Sequence, residues 1–367
     1  MIPINAPRIG EEEIDAVVKV MKSGVLTTGL GAGPMVTKFE KAFAEYLKVK
    51  HAIAVNTGTA ALHLAIAGAG IGPGDEVILP SFTFVATAEV VVIAGAKPVF
   101  VDIDPETYNM SPEKAAKAIN SKTKAIMPVD LYGLPADVPR IREIADNHGL
   151  HVIEDAAQAH GATIKGKAAG AFADVACWSF YGSKNITTGE GGMITTDNAE
   201  TAENLRFMRS HGEKEKYKSI LLGHNYHMPE LQAAIGYVQV GRLPQFLAKR
   251  RENAARLTKH LKNAERLQVP AEPRGYRHSW YLYTVRLRGA TAAKRDKLVE
   301  QLRRKGIGAE VYYVNPVHLM PYYRRFGKFK LPETEKASAQ VLSLPVHPGV
   351  TREQMDFIGE TMLHLLQ

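Results

Sequence analysis

His51-Ala52-Ile53-Ala54-Val55, followed by Asn56-Thr57-Gly58-Thr59-Ala60-Ala61-Leu62, is the stretch on which the reading of the fold turns. The first five residues form a short apolar run with turn residues behind it, the signature of a strand buried on both faces. The next residues turn directly into an apolar helix from Ala60 to Ala69. A buried strand feeding a helix is half of a βαβ unit, which builds parallel sheets covered on both sides.

The same alternation continues outward. Gly72-Pro73-Gly74-Asp75 is a turn before the strand Glu76-Val77-Ile78-Leu79, and Pro80-Ser81-Phe82-Thr83 opens a helix reaching about Ala94. Further strands are expected at Pro98 to Val101, Ala125 to Val129, His151 to Ile153, Val175 to Phe180 and Met193 to Thr196. Helices near Glu113 to Ile119 and Ile141 to Asn147 separate some of them. The expected class is α/β, with a mostly parallel sheet flanked by helices. After Arg242-Leu243-Pro244 the pattern changes to a charged helix from about Phe246 to Ala264, strands Tyr281 to Leu287 and Gly308 to Val311, and helices Ala292 to Lys305 and Arg352 to Leu366. A chain of 367 residues suits two domains. The expected division is a large unit of residues 1–244, whose N-terminal segment packs on the small unit, and a smaller α+β unit of residues 245–367.

Composition narrows the function. With 45% hydrophobic and 23% charged residues the chain is ordinary for a globular protein, and no apolar run approaches the ~20 residues of a membrane span. The acidic start Glu11-Glu12-Glu13 resembles no signal peptide, and one cysteine, Cys177, excludes intrachain disulfides and iron–sulfur sites. The expected location is a reducing cytoplasm. The net charge of +8 is spread along helices, and Lys249-Arg250-Arg251 is followed at once by Glu252, so nucleic acid is not the expected partner. A basic surface suits an anionic substrate. His160, His211, His224 and His227 lack metal-ligand spacing, and no metal is expected.

Chemistry concentrates where strands end, which is where ligands gather on such sheets. Lys184 lies in Cys177-Trp178-Ser179-Phe180-Tyr181-Gly182-Ser183-Lys184-Asn185, before Gly189-Glu190-Gly191-Gly192. A lysine among aromatics at a strand end suits Schiff-base chemistry, because a desolvated amine loses its proton readily and attacks an aldehyde. Asp155 closes the apolar strand His151-Val152-Ile153, where a carboxylate needs a partner, and a protonated pyridine ring is one. Pyridoxal 5′-phosphate (PLP) asks for both groups. Gln158 lies three residues on, within reach of a ring hydroxyl. At Thr57-Gly58-Thr59 free backbone N–H groups and small hydroxyls form a phosphate cradle. The competing reading is that Thr57 and Thr59 only cap the helix. Ser179 adds a hydroxyl from an adjacent strand end. Phe82 and Phe84 flank Thr83, either of them suited to stacking on a ring or to the core.

With these residues in place, the chain resembles the sugar-nucleotide aminotransferases of the DegT/StrS-like family, PLP enzymes of the aspartate aminotransferase fold. The ordered set includes Gly72-Pro73-Gly74-Asp75-Glu76-Val77, Pro80-Ser81-Phe82-Thr83-Phe84, Glu154-Asp155-Ala156-Ala157-Gln158, Gly223-His224-Asn225-Tyr226 and Leu231-Gln232-Ala233-Ala234. The resemblance implies that Lys184 binds the cofactor aldehyde, Asp155 its ring nitrogen and Gln158 its 3-hydroxyl. Gly58, Thr59 and Ser179 would hold phosphate and Phe84 the ring face. Asn225 would reach the phosphate of a second subunit, which implies a homodimer with shared sites. Tyr313 and His318 fall in a segment that lines the sugar pocket of relatives. His227 stands where arginine is frequent, and Asp130 where histidine or serine is frequent.

The implied reaction is a ping-pong transfer. An amino group passes from a donor such as glutamate, through pyridoxamine phosphate, to a keto group on a nucleotide-linked sugar. Its rivals are a PLP-dependent dehydratase or other lyase on the same scaffold, and a regulatory protein that binds PLP or a sugar nucleotide without turnover.

Overall fold

The computed structural model describes residues 1–27 and 31–367. Its centre is a seven-stranded sheet. In chain order the strands are β1 (His51–Val55), β2 (Glu76–Pro80), β3 (Lys97–Val101), β4 (Thr123–Ile126), β5 (His151–Asp155), β6 (Val175–Ser179) and β7 (Gly192–Thr196). In space they run β1-β7-β6-β5-β4-β2-β3. Only β7 is antiparallel to its neighbours, β1 and β6. The carboxyl ends of the other six strands therefore open on one edge, and Val55 and Ser179 both pair there with Gly192.

Among the described residues eleven helices accompany the sheet: α1 (Glu11–Ser23), α2 (Pro34–Leu47), α3 (Gly58–Gly68), α4 (Ala86–Ile93), α5 (Pro112–Ala118), α6 (Val138–His148), α7 (Ala199–Arg209), α8 (Glu230–Leu261), α9 (Ala292–Arg304), α10 (Pro332–Gln340) and α11 (Arg352–Leu366). Strand alternation sorts them onto two faces. Ile53 and Val55 of β1 pack with Leu64 and Ile66 of α3 and Val90 and Val91 of α4. Ala52 and Ala54 face the other way, where their small side chains leave room for Phe39 and Phe43 of α2 and Trp178 of β6. Phe43 is fully buried and meets the Trp178 ring edge-on at 5.3 Å, so truncating it to alanine should cost about 3–5 kcal/mol.

A second, three-stranded antiparallel sheet comprises β8 (Leu267–Gln268), β9 (Tyr283–Leu287) and β10 (Val341–Leu344), in the order β8-β9-β10. It packs with α9 and α11 around Leu298, Leu302, Met355 and Ile358. Ile2 joins this core, and its backbone bonds to Gly306 and Gly308 at 2.7 Å each.

Three differences from the sequence pattern have physical reasons. The helix expected to begin near Phe246 begins at Glu230 and runs through Pro244. A helical proline removes one hydrogen bond, but Leu243, Phe246 and Leu247 are all buried on the same apolar stripe, and this packing outweighs the loss. Farther along, Ala254, Leu257 and Leu261 enter the second core, so one helix serves both cores and residues 244/245 lie inside it. The strand expected at Gly308 to Val311 is reduced to a single bridge, Glu310 to Ser343. The edge is completed instead by β10, four residues too short to stand out by period. Among the described residues no helix is long and apolar enough to cross a membrane.

Candidate active site

Three strand ends and one helix start build the site. Thr57 caps α3, its hydroxyl accepting the Ala60 N–H at 3.0 Å. That leaves the N–H groups of Gly58 and Thr59 at the positive end of the helix, where an anion is favoured. The neighbouring strands press close. A Cβ on Gly58 would lie 2.7 Å from the Ser179 Cβ, and one on Gly192 would lie 2.2 Å from the Thr57 carbonyl oxygen. Glycine at both positions lets three segments meet around one small volume, with the Ser179 hydroxyl at its rim. Thr57 is the cap of the turn, and Gly58 and Thr59 open the helix behind it.

Asp155 ends β5 and is 5% exposed. Its Oδ2 accepts the Thr87 hydroxyl at 2.8 Å, and its Oδ1 accepts the Ala157 N–H at a long 3.3 Å. Burial raises the carboxyl above its ordinary range, while these two bonds and the positive charge of Lys184 pull it back. A buried carboxylate so lightly satisfied is matched by one further cationic donor, such as a protonated ring nitrogen.

Lys184 sits on the loop after β6, half-buried, with its ammonium 4.7 Å from the centre of the Tyr281 ring. Ser183 and Tyr281 hydroxyls meet at 2.9 Å and hold that ring in place. Gln158 is clamped at both ends of its amide: Oε1 accepts the Tyr132 N–H at 2.8 Å and Nε2 donates to the Tyr313 hydroxyl at 3.3 Å. Burial raises the Tyr313 phenol far above its ordinary value, so it remains a neutral hydroxyl. Phe82 is core, 1% exposed, whereas Phe84 is 55% exposed, with its ring 6.3 Å from that of Tyr313. Of the two phenylalanines only Phe84 is free to cover a ligand.

Gln158 and Tyr313 are joined directly, the charge of Lys184 is felt at Asp155, and Phe84 lies beside Tyr313, with Gly58 and Ser179 at adjacent strand ends. His318 belongs to a different contact. Its ring Nδ1 lies 2.6 Å from the Ser81 hydroxyl and its backbone N–H donates to the same oxygen at 2.9 Å, which fastens the C-terminal region to the end of β2. Asn225 is exposed, next to Tyr226, whose carbonyl accepts the Asn56 N–H at 3.0 Å beside the start of α3. Sequence reasoning passed over Thr87 and Tyr281. Thr87 carries a weak signal, lying four residues after Thr83 on the first turn of α4, and the two hydroxyls meet at 2.9 Å. Tyr281 arrives from the far end of the chain and carries none.

The donor set fits a small anionic aromatic cofactor: an amine, a buried carboxylate, a fixed amide and a glycine-lined helix terminus, converging from separate elements. Comparison with known proteins agrees. The profile of the DegT/DnrJ/EryC1/StrS aminotransferase family matches residues 7–363. A pleiotropic regulatory protein of Geobacillus stearothermophilus is 43% identical over 94% of this chain and 92% of its own length. The GDP-perosamine synthase of Caulobacter vibrioides is 42% identical over 97% and 95%. A proposed sugar aminotransferase of Streptococcus pneumoniae, solved with its cofactor in the PMP form, superposes with a TM-score of 0.94 at 30% identity, covering 100% of this chain and 97% of that one. Its PLP form has been solved as well. The chain therefore belongs to the DegT/DnrJ/EryC1/StrS aminotransferase family, whose members are PLP-dependent.

Proposed function

We propose that the protein transfers an amino group, with glutamate as donor, to a keto group on a nucleotide-linked sugar by a ping-pong mechanism. The observation that carries this reading is the meeting of Lys184 and Asp155 at the same sheet edge as the α3 terminus. An amine, a ring-nitrogen partner and a phosphate cradle are the three holds that PLP requires. The GDP-sugar product in the name of the Caulobacter relative supports the substrate class.

When bound, PLP supplies an electron sink for charge that develops on carbon. Asp155 accepts the ring N–H and keeps that proton in place, steadied by Thr87. Gln158 donates to the ring 3-hydroxyl, its amide orientation set by Tyr132 and Tyr313. Gly58, Thr59 and Ser179 bind the phosphate, and Phe84 covers one ring face and excludes water. Lys184 first tethers the cofactor through its amine. The same amine would serve as base and then acid, moving the proton between the donor α-carbon and the cofactor C4′ carbon. Tyr313 borders the sugar. His318 sits deeper, on Ser81. Asn225, exposed on its own subunit, completes the phosphate site of a partner in a homodimer.

The test is to load the purified enzyme with the aminated cofactor, incubate it with a panel of keto-sugar nucleotides and analyse the products by mass spectrometry. An aminated sugar nucleotide, and 2-oxoglutarate released from glutamate, are the expected results. Lys184→Ala should abolish both turnover and the visible absorbance of the tethered cofactor. The name of the Geobacillus relative favours one second reading, a regulatory role without turnover. Tight cofactor and sugar-nucleotide binding with no transfer to any member of the panel would decide for it.

A further inference from the structure

Two acidic side chains meet in the interior directly behind Asp155. Asp130 and Glu154 are both 0% exposed. One oxygen of each is satisfied by backbone: Asp130 Oδ1 accepts the Ala136 N–H at 2.8 Å, and Glu154 Oε1 accepts the Gly170 N–H at 2.8 Å. The remaining oxygens, Asp130 Oδ2 and Glu154 Oε2, find no donor anywhere among the described residues. Val129 pairs with Asp155 across the two strands, so strand alternation puts Asp130 and Glu154 side by side on the face opposite the Asp155 side chain. Among the described residues neither carboxyl has an ion-pair partner, and the Asp155 carboxyl adds a further negative charge nearby.

The backbone links the pair to the site. Val129 and Asp155 form a bridge, the Asp130 N–H donates to the Asp155 carbonyl at 3.1 Å, and the Asp155 N–H donates to the Pro128 carbonyl at 2.9 Å. Asp130 and Glu154 therefore flank the rung from which the Asp155 side chain projects.

We propose that Asp130 and Glu154 share a single proton as an acid–carboxylate pair, and that this pair is the positioning device for Asp155. Two ionised carboxylates in contact, out of water and without a cation, repel strongly, whereas one proton between them satisfies both orphaned oxygens. Burial, then the charge of Glu154, raises Asp130 well above the ordinary carboxyl range, and burial raises Glu154 as well. The shared proton bridges Asp130 Oδ2 and Glu154 Oε2, the two oxygens left without another partner. It also leaves one negative charge behind Asp155 rather than two, so that Asp155 itself can ionise against a cationic ring. The second half of the proposal rests on the cofactor role assigned to Asp155 above; the shared proton does not.

The test has two arms. Infrared spectroscopy of the cofactor-free protein, with carbon-13 in its aspartate and glutamate side chains, should show at neutral pH a carboxylic-acid stretch that shifts with the label and disappears in Asp130→Asn. Absence of a label-sensitive acid band overturns the shared proton, whatever reaction the enzyme catalyses. The second arm titrates PLP into variants and follows the pH midpoint of its bound absorbance. Asp130→Asn retains a donor toward Glu154 and should match the wild type within about twofold. Asp130→Ala should weaken PLP binding about tenfold and move the midpoint by about one pH unit. An Asp130→Ala protein indistinguishable from wild type overturns the positioning role. An Asp130→Asn protein that behaves like Asp130→Ala overturns the neutral donor. If Asp130→Ala does not fold, the infrared arm and Asp130→Asn still decide.

Discussion

The two ends of the candidate site are made of different material. The end proposed for phosphate is lined by backbone amides, brought together because Gly58 and Gly192 let strand and helix approach closely. At the ring end the contacts are buried side chains, Asp155, Gln158 and Tyr313, each aimed by another side chain or by a backbone N–H. A backbone cradle is indifferent to charge but intolerant of volume. A side-chain clamp tolerates small changes of shape but depends on every proton being in place. The difference predicts that each end fails in its own way.

The largest effect is expected at the ring end. Asp155→Ala should lower kcat about 10³-fold in the amino-transfer assay while the thermal unfolding midpoint holds or rises, because a buried, lightly satisfied carboxylate is removed. A variant that loses stability and activity together would place Asp155 in the scaffold and erase the contrast. At the phosphate end the order reverses. Gly192→Ala forces a Cβ against the Thr57 carbonyl at 2.2 Å, with no flexible side chain to move aside. It should cost about 3 kcal/mol of stability in urea denaturation. Near-native stability there would mean that β1 and β7 can part more easily than their close packing implies.

The effect that is smallest near neutral pH sharpens the comparison by titration. His160 lies behind β6, buried among Phe43, Trp178 and Phe180 with neither ring nitrogen bonded. Burial, with the charges of Lys184 and Arg250, lowers its pKa from 6.5 to about 3. The folded ring therefore stays neutral where the unfolded ring takes a proton. Its contribution to stability is fully present above pH 6.5 and is lost as pH falls toward about 3, by about 1.4 kcal/mol per pH unit. His278 and His347, lowered to about 3 and about 4, add to the same trend. Urea midpoints measured from pH 7 downward should decline, and His160→Gln should flatten the slope. Equal slopes in variant and wild type would contradict the burial argument.

Much of this was legible in the chain, for a definite reason. The strands of the main sheet are continuous apolar runs, and such runs announce themselves by period and by the turn residues that close them. Lys184 and Asp155 stood out because each is an ionisable residue at the end of an apolar segment. Thr87 and Tyr281 did not, since their importance lies in what they touch. The start of α8 was misplaced because a proline outweighs its neighbours when a sequence is read locally, while in the folded chain Leu243, Phe246 and Leu247 outweigh the proline.

The amino-acid order by itself determined the α/β class, the apolar strands and the residue types capable of holding the cofactor, because these depend on short-range patterns of polarity and backbone preference. Only the tertiary structure decided that Tyr313 meets Gln158, that Tyr281 lies over Lys184, and that Asp130 comes to rest against Glu154. Those contacts join residues far apart in the chain. Their energies come from desolvation and shared protons, which exist only once the interior has closed around them.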